Sequence, residues 1–314
     1  MTKIVLLILT LNALWCKEQY LWPTNASTTV TALFGEERPH RYHAGIDIRT
    51  WGKSGYKLYA TSDGHIQRIR TSSKGYGKAL YIKLNDGNTA VYAHLEKFTP
   101  SLDAAARSLQ QHYGSYTIDH SFSENEYPVR RGDIIGYTGD TGGISGPHLH
   151  FEIRDRFERP LNPLQFYKIK DNLPPIPQQI AVIPLTDSVT VNLSSFPQVY
   201  EIKTVNPFEY EVEDTITIHG KFGFALDVVD RIDDQPFKFG IHSIILKFNG
   251  ELQYKVQYDT YKFEHAKYIY AERDYLLKRE FNTRFYRLFN NVDYDGFYFT
   301  NKKNKNEYEL EQNK

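Results

Sequence analysis

The sequence predicts a mainly β protein in two parts: a compact N-terminal domain of antiparallel strands with a short helical insertion, then a second β-rich, sandwich-like domain. Three observations predict it. Apolar residues alternate along short runs bounded by Gly, Asn and Asp turns. Helical spacing replaces that alternation at residues 101–112, and Pro174, Pro175 and Pro177 break the chain between two such β regions. At 314 residues the chain is long enough for two domains.

The elements follow in order. Residues 4–15 are an apolar run after the positive charge of Lys3. The run has the length of a signal-peptide core and is too short to span a bilayer, so residues 1–16 are expected to be a signal peptide and the chain exported. Cys16 could carry a lipid, but Trp15 is bulky where a lipoprotein signal has a small residue, so anchoring is the lesser reading. No later stretch is apolar for long enough to be a membrane helix.

Residues 30–34 form a short apolar run. Tyr56-Lys57-Leu58-Tyr59-Ala60 and His65-Ile66-Gln67-Arg68-Ile69 alternate, and Asp63-Gly64 between them reads as a hairpin turn. A second hairpin joins Ala79-Leu80-Tyr81-Ile82-Lys83-Leu84 to Thr89-Ala90-Val91-Tyr92-Ala93 through Asn85-Asp86-Gly87-Asn88. Leu102, Ala105, Ala106 and Leu109 then mark one face of a helix, and that helix with the polar loop after it forms an insertion, residues 101–127. Strand character returns at residues 129–137.

The first domain is expected to cover residues 17–170, with a Pro-rich linker at 171–178. A chain ending near Lys170 should fold alone if that linker is a boundary. Alternation in Val189, Val191 and Leu193, in Ile216 and Ile218, and in Ile241, Ile244 and Leu246 places a β domain at residues 179–300. Residues 301–314 read as a polar, disordered tail.

Composition narrows the function. Thirty-eight basic and 38 acidic residues balance, which gives no reason to expect nucleic acid or an anionic membrane as partner. The 24 tyrosines fit β packing. Cys16 is the single cysteine, so a mature chain without it would have no disulfide, thiolate ligand or cysteine nucleophile.

The chemistry concentrates in residues 136–152, where a Gly-rich loop runs through Pro147 into His148-Leu149-His150 and the strand-like Phe151-Glu152-Ile153-Arg154. Residues two apart on a strand share a face, so His148 and His150 stand side by side. Upstream lie His43-Ala44-Gly45-Ile46-Asp47 and His94. A catalytic zinc takes three protein ligands and leaves one position for water. His43 and Asp47 would be about 13 Å apart on a straight strand at about 3.3 Å per residue, so the segment must bend, and Gly45 permits it. His150 or His148 completes a His/Asp/His set. His94 and the remaining histidine are then candidates for proton transfer and oxyanion stabilisation. Glu152 shares the strand face and could orient a ligand histidine, although a surface salt bridge is the plainer reading.

Taken together, Arg41-Tyr42-His43-Ala44-Gly45-Ile46-Asp47, Ala60-Thr61-Ser62-Asp63-Gly64, Tyr92-Ala93-His94-Leu95, Arg131-Gly132-Asp133-Ile134-Ile135-Gly136 and the run from Gly139 through His150-Phe151-Glu152-Ile153-Arg154 resemble the lysostaphin/LytM-type zinc metallopeptidases. The resemblance covers about residues 30–165 and is closest to the two-domain Gram-negative envelope type. It implies an antiparallel-sheet catalytic domain with a groove over the metal. It assigns one Zn2+ per chain to His43, Asp47 and His150, and catalysis to His94 and His148. The implied reaction is hydrolysis of amide bonds in peptidoglycan stem peptides and cross-links, in the periplasm or cell envelope, with a zinc-activated water as nucleophile. The alternative is a non-catalytic LytM-type regulator that binds and activates cell-wall amidases. Such regulators lack ligands, whereas all five positions are filled here.

Overall fold

The structure is a computed structural model that describes residues 20–289 and, for the backbone alone, residues 298–300 and 308–309. The expected signal peptide, Cys16 and most of the polar tail lie outside the described residues. Among the described residues no helix is long and apolar enough to cross a membrane. The chain divides into two compact units. Of the described residues, one unit holds 20–36 and 43–170, and the other holds 37–42 and those from 171 onward.

Fourteen strands and one long helix make up the chain to Leu161. They are β1 (Val30–Ala32), β2 (Glu37–Arg38), β3 (Arg41–Tyr42), β4 (Ile46–Arg49), β5 (Lys57–Tyr59), β6 (Gly64–Thr71), β7 (Ala79–Leu84), β8 (Thr89–Ala93) and β9 (Leu95–Phe98), then α1 (Pro100–Tyr113), β10 (Ile118–Ser121), β11 (Pro128–Val129), β12 (Ile134–Thr138), β13 (His148–Arg154) and β14 (Pro160–Leu161). The large antiparallel sheet runs β1-β4-β13-β8-β7-β6-β10, and a smaller one runs β5-β12-β9. Every residue of β8 is buried, and so is every residue of β13 after His148. Two-sided burial puts these strands at the centre of the sheet, and β13 still alternates, with Leu149, Phe151 and Ile153 on one face and His148, His150, Glu152 and Arg154 on the other. The Tyr92 hydroxyl on β8 donates to the Tyr59 carbonyl of β5 (2.9 Å), tying the two sheets together.

The expected hairpin between residues 56–60 and 65–69 does not form. β5 pairs with β12, and β6 pairs with β7. Ala60 exchanges backbone hydrogen bonds with the turn at Gly132 and Asp133, and the Asp63 carboxylate accepts from the Arg131 amide (2.8 Å). These partners come from about 70 residues downstream, so the turn signal leads the chain from one sheet to the other. The second expected hairpin, β7–β8, is present.

Helix α1 forms where its period appears in the sequence. Leu102 and Ala106 are buried, Ala105 and Leu109 half-buried, and Gly114 closes the helix in the left-handed conformation. The segment after it is more ordered than the polar loop expected. Its β10 extends the large sheet along β6, with an Arg68–Asp119 ion pair across the strands. Ile118 is the one apolar residue of that strand, so no alternation marks it in the sequence.

In the other unit, strand Ile176–Pro184 lies between Gln198–Glu201 and Lys221–Val229, and a second sheet pairs Ser243–Phe248 with Glu251–Gln257. The Phe222 and Phe224 rings meet Phe248 at 6.4 and 5.9 Å between centroids, so the two sheets pack face to face. Val189, Val191, Ile244 and Leu246 are buried as the alternation expects. Leu193 is 89% exposed, because Asn192 and Leu193 both take positive φ in a turn. The hairpin β2–β3 belongs to this unit. The buried Glu272 carboxylate accepts from the Tyr42 hydroxyl (2.6 Å), the Tyr258 hydroxyl (2.7 Å) and Arg273 (2.9 Å). Burial raises the pKa of Glu272 even against the Arg273 charge.

Candidate metal centre

Strand pairing brings the separate motifs together. In the register of β4 with β13, Asp47 lies opposite His150 and Arg49 opposite His148; in that of β13 with β8, His150 lies opposite Ala93, next to His94. Gly45 lies at the bend expected between His43 and Asp47, and it serves this pairing in a second way. It does not take a positive φ. A Cβ at Gly45 would lie 2.1 Å from the Phe151 carbonyl oxygen, so only glycine lets the segment between His43 and Asp47 press against β13.

His43 Nε2, Asp47 Oδ1 and His150 Nδ1 form a triangle with all three edges 3.0 Å. Ligands placed tetrahedrally at about 2.0–2.1 Å from zinc would be about 3.3–3.4 Å apart, so the set fits one small cation. Two nitrogens and one carboxylate oxygen suit zinc better than calcium or magnesium, which favour oxygen.

The outer ring nitrogens are as informative as the inner ones. His43 Nδ1 lies 2.8 Å from the Leu33 carbonyl, His94 Nδ1 2.9 Å from the Thr141 carbonyl and His148 Nδ1 3.0 Å from the Gly146 carbonyl. His150 Nε2 lies 2.7 Å from the Glu152 carboxylate. A carbonyl or carboxylate only accepts, so each outer nitrogen carries the proton and donates. In the neutral ring, the lone pair of the opposite nitrogen is then left for the site.

His94 sits where the chain passes from β8 in one sheet to β9 in the other, with φ at +65°. A non-glycine residue held there costs about 1–3 kcal/mol, and the surrounding bonds offset it. Its amide donates to the Tyr76 carbonyl (2.9 Å). Thr141 anchors the Gly-rich loop beside it, since its hydroxyl donates to the Leu95 carbonyl (2.8 Å) and accepts from the Lys78 amide (2.9 Å). Gly77 and Gly142, both at positive φ, allow this loop to lie directly on residues 75–77. The Thr50 hydroxyl donates to the Pro147 carbonyl (2.8 Å) and fixes the turn before His148. The His94 and His148 rings are 4.8 Å apart, and His148 Nε2 is 3.6 Å from Asp47 Oδ1.

Electrostatics follow this packing. Burial, with His150 and His148 as neighbours, pushes His94 down to about 3, so it is neutral at physiological pH. For His150, burial works downward, but Asp47 and Glu152 outweigh it and raise the group to about 9. Asp47 is held well below the usual carboxylate range, because His43 and His150 overcome its burial. Glu152 is fully buried, yet Arg154 and His150 hold it down to about 2. It is therefore no surface salt bridge. Sequence reasoning did not single out Tyr76, Thr141 or Thr50, and only the glycines beside the first two offered a signal.

Residues 105–163 match the model of peptidase family M23, a stretch that includes His148 and His150. This chain carries a peptidase M23 domain. A DD-carboxypeptidase/endopeptidase, Mpg, of Neisseria meningitidis is 33% identical over 124 residues, covering 40% of this chain and 22% of that protein. The murein hydrolase activator NlpD of Escherichia coli is 30% identical over 145 residues, covering 46% of this chain and 30% of that protein. The matched part thus spans less than a third of either relative. Among solved structures, a zinc-containing peptidase from Vibrio cholerae is 26% identical with a TM-score of 0.34, covering 49% of this chain and 40% of that one. The catalytic domain of lysostaphin from Staphylococcus simulans is 23% identical with a TM-score of 0.32, covering 44% and 90%. The M23 family is zinc-dependent, and His43 and Asp47, which lie before the matched stretch, form a His-Asp-His cluster with His150 inside it.

Proposed function

We propose that the M23 domain is a zinc-dependent endopeptidase that cleaves amide bonds in the peptide cross-links of peptidoglycan, in the periplasm or cell envelope. The observation that carries this reading is the arrangement of the four histidines. Each outer nitrogen is bonded to an oxygen acceptor, the inner nitrogens of His43, His150 and His148 lie 3.0, 3.0 and 3.6 Å from Asp47 Oδ1, and the His94 ring lies 4.8 Å from that of His148. A purely structural cluster would have no need to keep three ring nitrogens turned to one carboxylate oxygen.

In this reading His43 Nε2, Asp47 Oδ1 and His150 Nδ1 hold one zinc ion per chain. When bound, zinc polarises a carbonyl and lowers the pKa of a water to about 7. His94, neutral and with its Nδ1 proton committed to Thr141, presents a lone pair at Nε2 and can accept a proton there. His148, half-buried at the edge of the site, presents Nε2 toward Asp47 and can hold a proton at that atom against a developing oxyanion or leaving amine. Its Nδ1 bond to Gly146 and the Thr50 bond to Pro147 fix its direction.

The similarity to a murein hydrolase activator favours a second reading, a domain that binds and activates an amidase. The complete ligand set supports catalysis over it. Digestion of purified sacculi, with the muropeptides identified by mass, decides between them. New peptide ends released by the M23 domain alone support the peptidase. Release only when an amidase is added, unaffected by His94→Ala, supports the regulator.

A further inference from the structure

Glu152 is wholly enclosed and receives three donors. His150 Nε2 bonds its Oε1 (2.7 Å), the Tyr76 hydroxyl bonds the same oxygen, and Arg154 Nε bonds Oε2 (2.7 Å). Arg154 reaches Glu158 through Nη1 (3.4 Å), so the line of polar groups runs from the candidate metal ligand to an exposed carboxylate. The Tyr76 ring lies 5.1 Å from the His150 ring and 6.4 Å from His94. Tyr76 itself is only half-buried.

We infer that Tyr76 and Arg154 are positioning residues which, through Glu152, hold His150 in the one tautomer able to bind zinc. The inference rests on the zinc reading of the site. A carboxylate met by an Arg and a Tyr hydroxyl acts as an acceptor at both oxygens. Arg154 cannot accept, so it fixes Oε2. Tyr76 shares Oε1 with His150 and stops the carboxylate from rotating. His150 must then keep its proton on Nε2, which leaves the Nδ1 lone pair directed at His43 and Asp47.

The substitution Glu152→Gln is close to isosteric but reverses this logic. Arg154 would claim the amide oxygen, the amide nitrogen would turn to His150, and the imidazole would answer by accepting at Nε2. Its remaining proton would then sit on Nδ1, where zinc should be. Outer partners of metal ligands contribute about 10–100-fold in affinity, and the full range is expected for this variant. Tyr76→Phe removes one donor and keeps the ring, and should weaken zinc by about tenfold.

The experiment is zinc competition against a chromophoric chelator on the full chain, for wild type, Y76F, E152Q and the double variant, with circular dichroism to confirm folding. If Tyr76 acts through Glu152, its effect disappears in the E152Q background, a non-additivity that a general loss of packing would not produce. Long-range proton–nitrogen NMR on the zinc-loaded protein should show His150 bound through Nδ1. Wild-type zinc affinity in Y76F, or fully additive effects, would overturn the inference while leaving the zinc reading intact. Should E152Q not fold, Y76F and the NMR assignment still decide. Failure of wild type itself to bind zinc would overturn the zinc reading and the inference with it.

Discussion

At the scale of single residues, the proposed function assigns metal binding and proton handling to different groups, and this division can be tested. The full chain should carry about one zinc, and His43→Ala, Asp47→Ala or His150→Ala should lose it, because each removes one of only three protein donors. Metal analysis of the purified variants checks this, and full occupancy in Asp47→Ala would remove that residue from the set. His94→Ala and His148→Ala should keep the zinc while hydrolysis of cross-linked muropeptides falls by about two to four powers of ten, the usual reach of a positioned acid or base. A metal-free His148→Ala beside a zinc-loaded His150→Ala would show the two roles to be exchanged. These five residues were legible in the sequence because spacing on strands and glycine turns is local information. Tyr76 was not legible, since a tyrosine in a β protein packs more often than it bonds a carboxylate.

At the scale of elements, close contact between β4 and β13 controls the site. Gly45→Ala would place a methyl group within 2.1 Å of the Phe151 carbonyl. Forcing the strands apart should cost about 1–3 kcal/mol. It should also weaken zinc binding, because Asp47 and His150 are paired across that ladder. Urea unfolding and zinc competition on the same variant measure both effects. A variant with wild-type stability and zinc affinity would mean that the ladder can shift without moving its ligands. The helix of the insertion lay open to sequence reading through its apolar face, whereas β10, with one apolar residue in four, shows itself only through pairing with β6.

At the scale of the whole molecule, the two units carry separate sources of stability. Burial, with the charge of Asp171 nearby, pushes Asp230 up to about 7 from the ordinary 3.8. A carboxyl raised in this way by folding contributes stability that is complete below about pH 4 and is lost as pH rises through about 7, because the folded chain holds the proton that the unfolded chain has already released. Asp230→Asn keeps the oxygen that accepts from the Arg231 amide and cannot ionise. It should therefore melt higher than wild type at pH 8, with the difference closing by pH 4. A difference independent of pH would show that Asp230 does not ionise against the fold.

A chain ending at Lys170 is a second test at this scale. Sequence alone expects it to fold, but hairpin β2–β3 groups with the later residues, and Tyr42 would lose Glu272 and Tyr261 as partners. The shortened chain should therefore be less soluble and melt lower than the full chain. Equal melting would show that the hairpin contributes nothing to stability.

The sequence by itself determined the β class, the helical period over residues 101–112 and the choice of His43, Asp47, His94, His148 and His150 as site candidates. Each rests on a short-range period or on residue chemistry, which the chain displays in order. Tertiary structure alone decided that β5 pairs with β12 rather than with its neighbour β6, that Gly45 serves close approach to Phe151 as well as the bend, and that residues 37–42 join the later unit. It also decided that Glu152 is buried among His150, Tyr76 and Arg154. The physical reason is common to all four. A strand's alternation says which face is apolar, but its edge hydrogen bonds and its closest contacts are completed by residues far along the chain, and no local pattern records which ones.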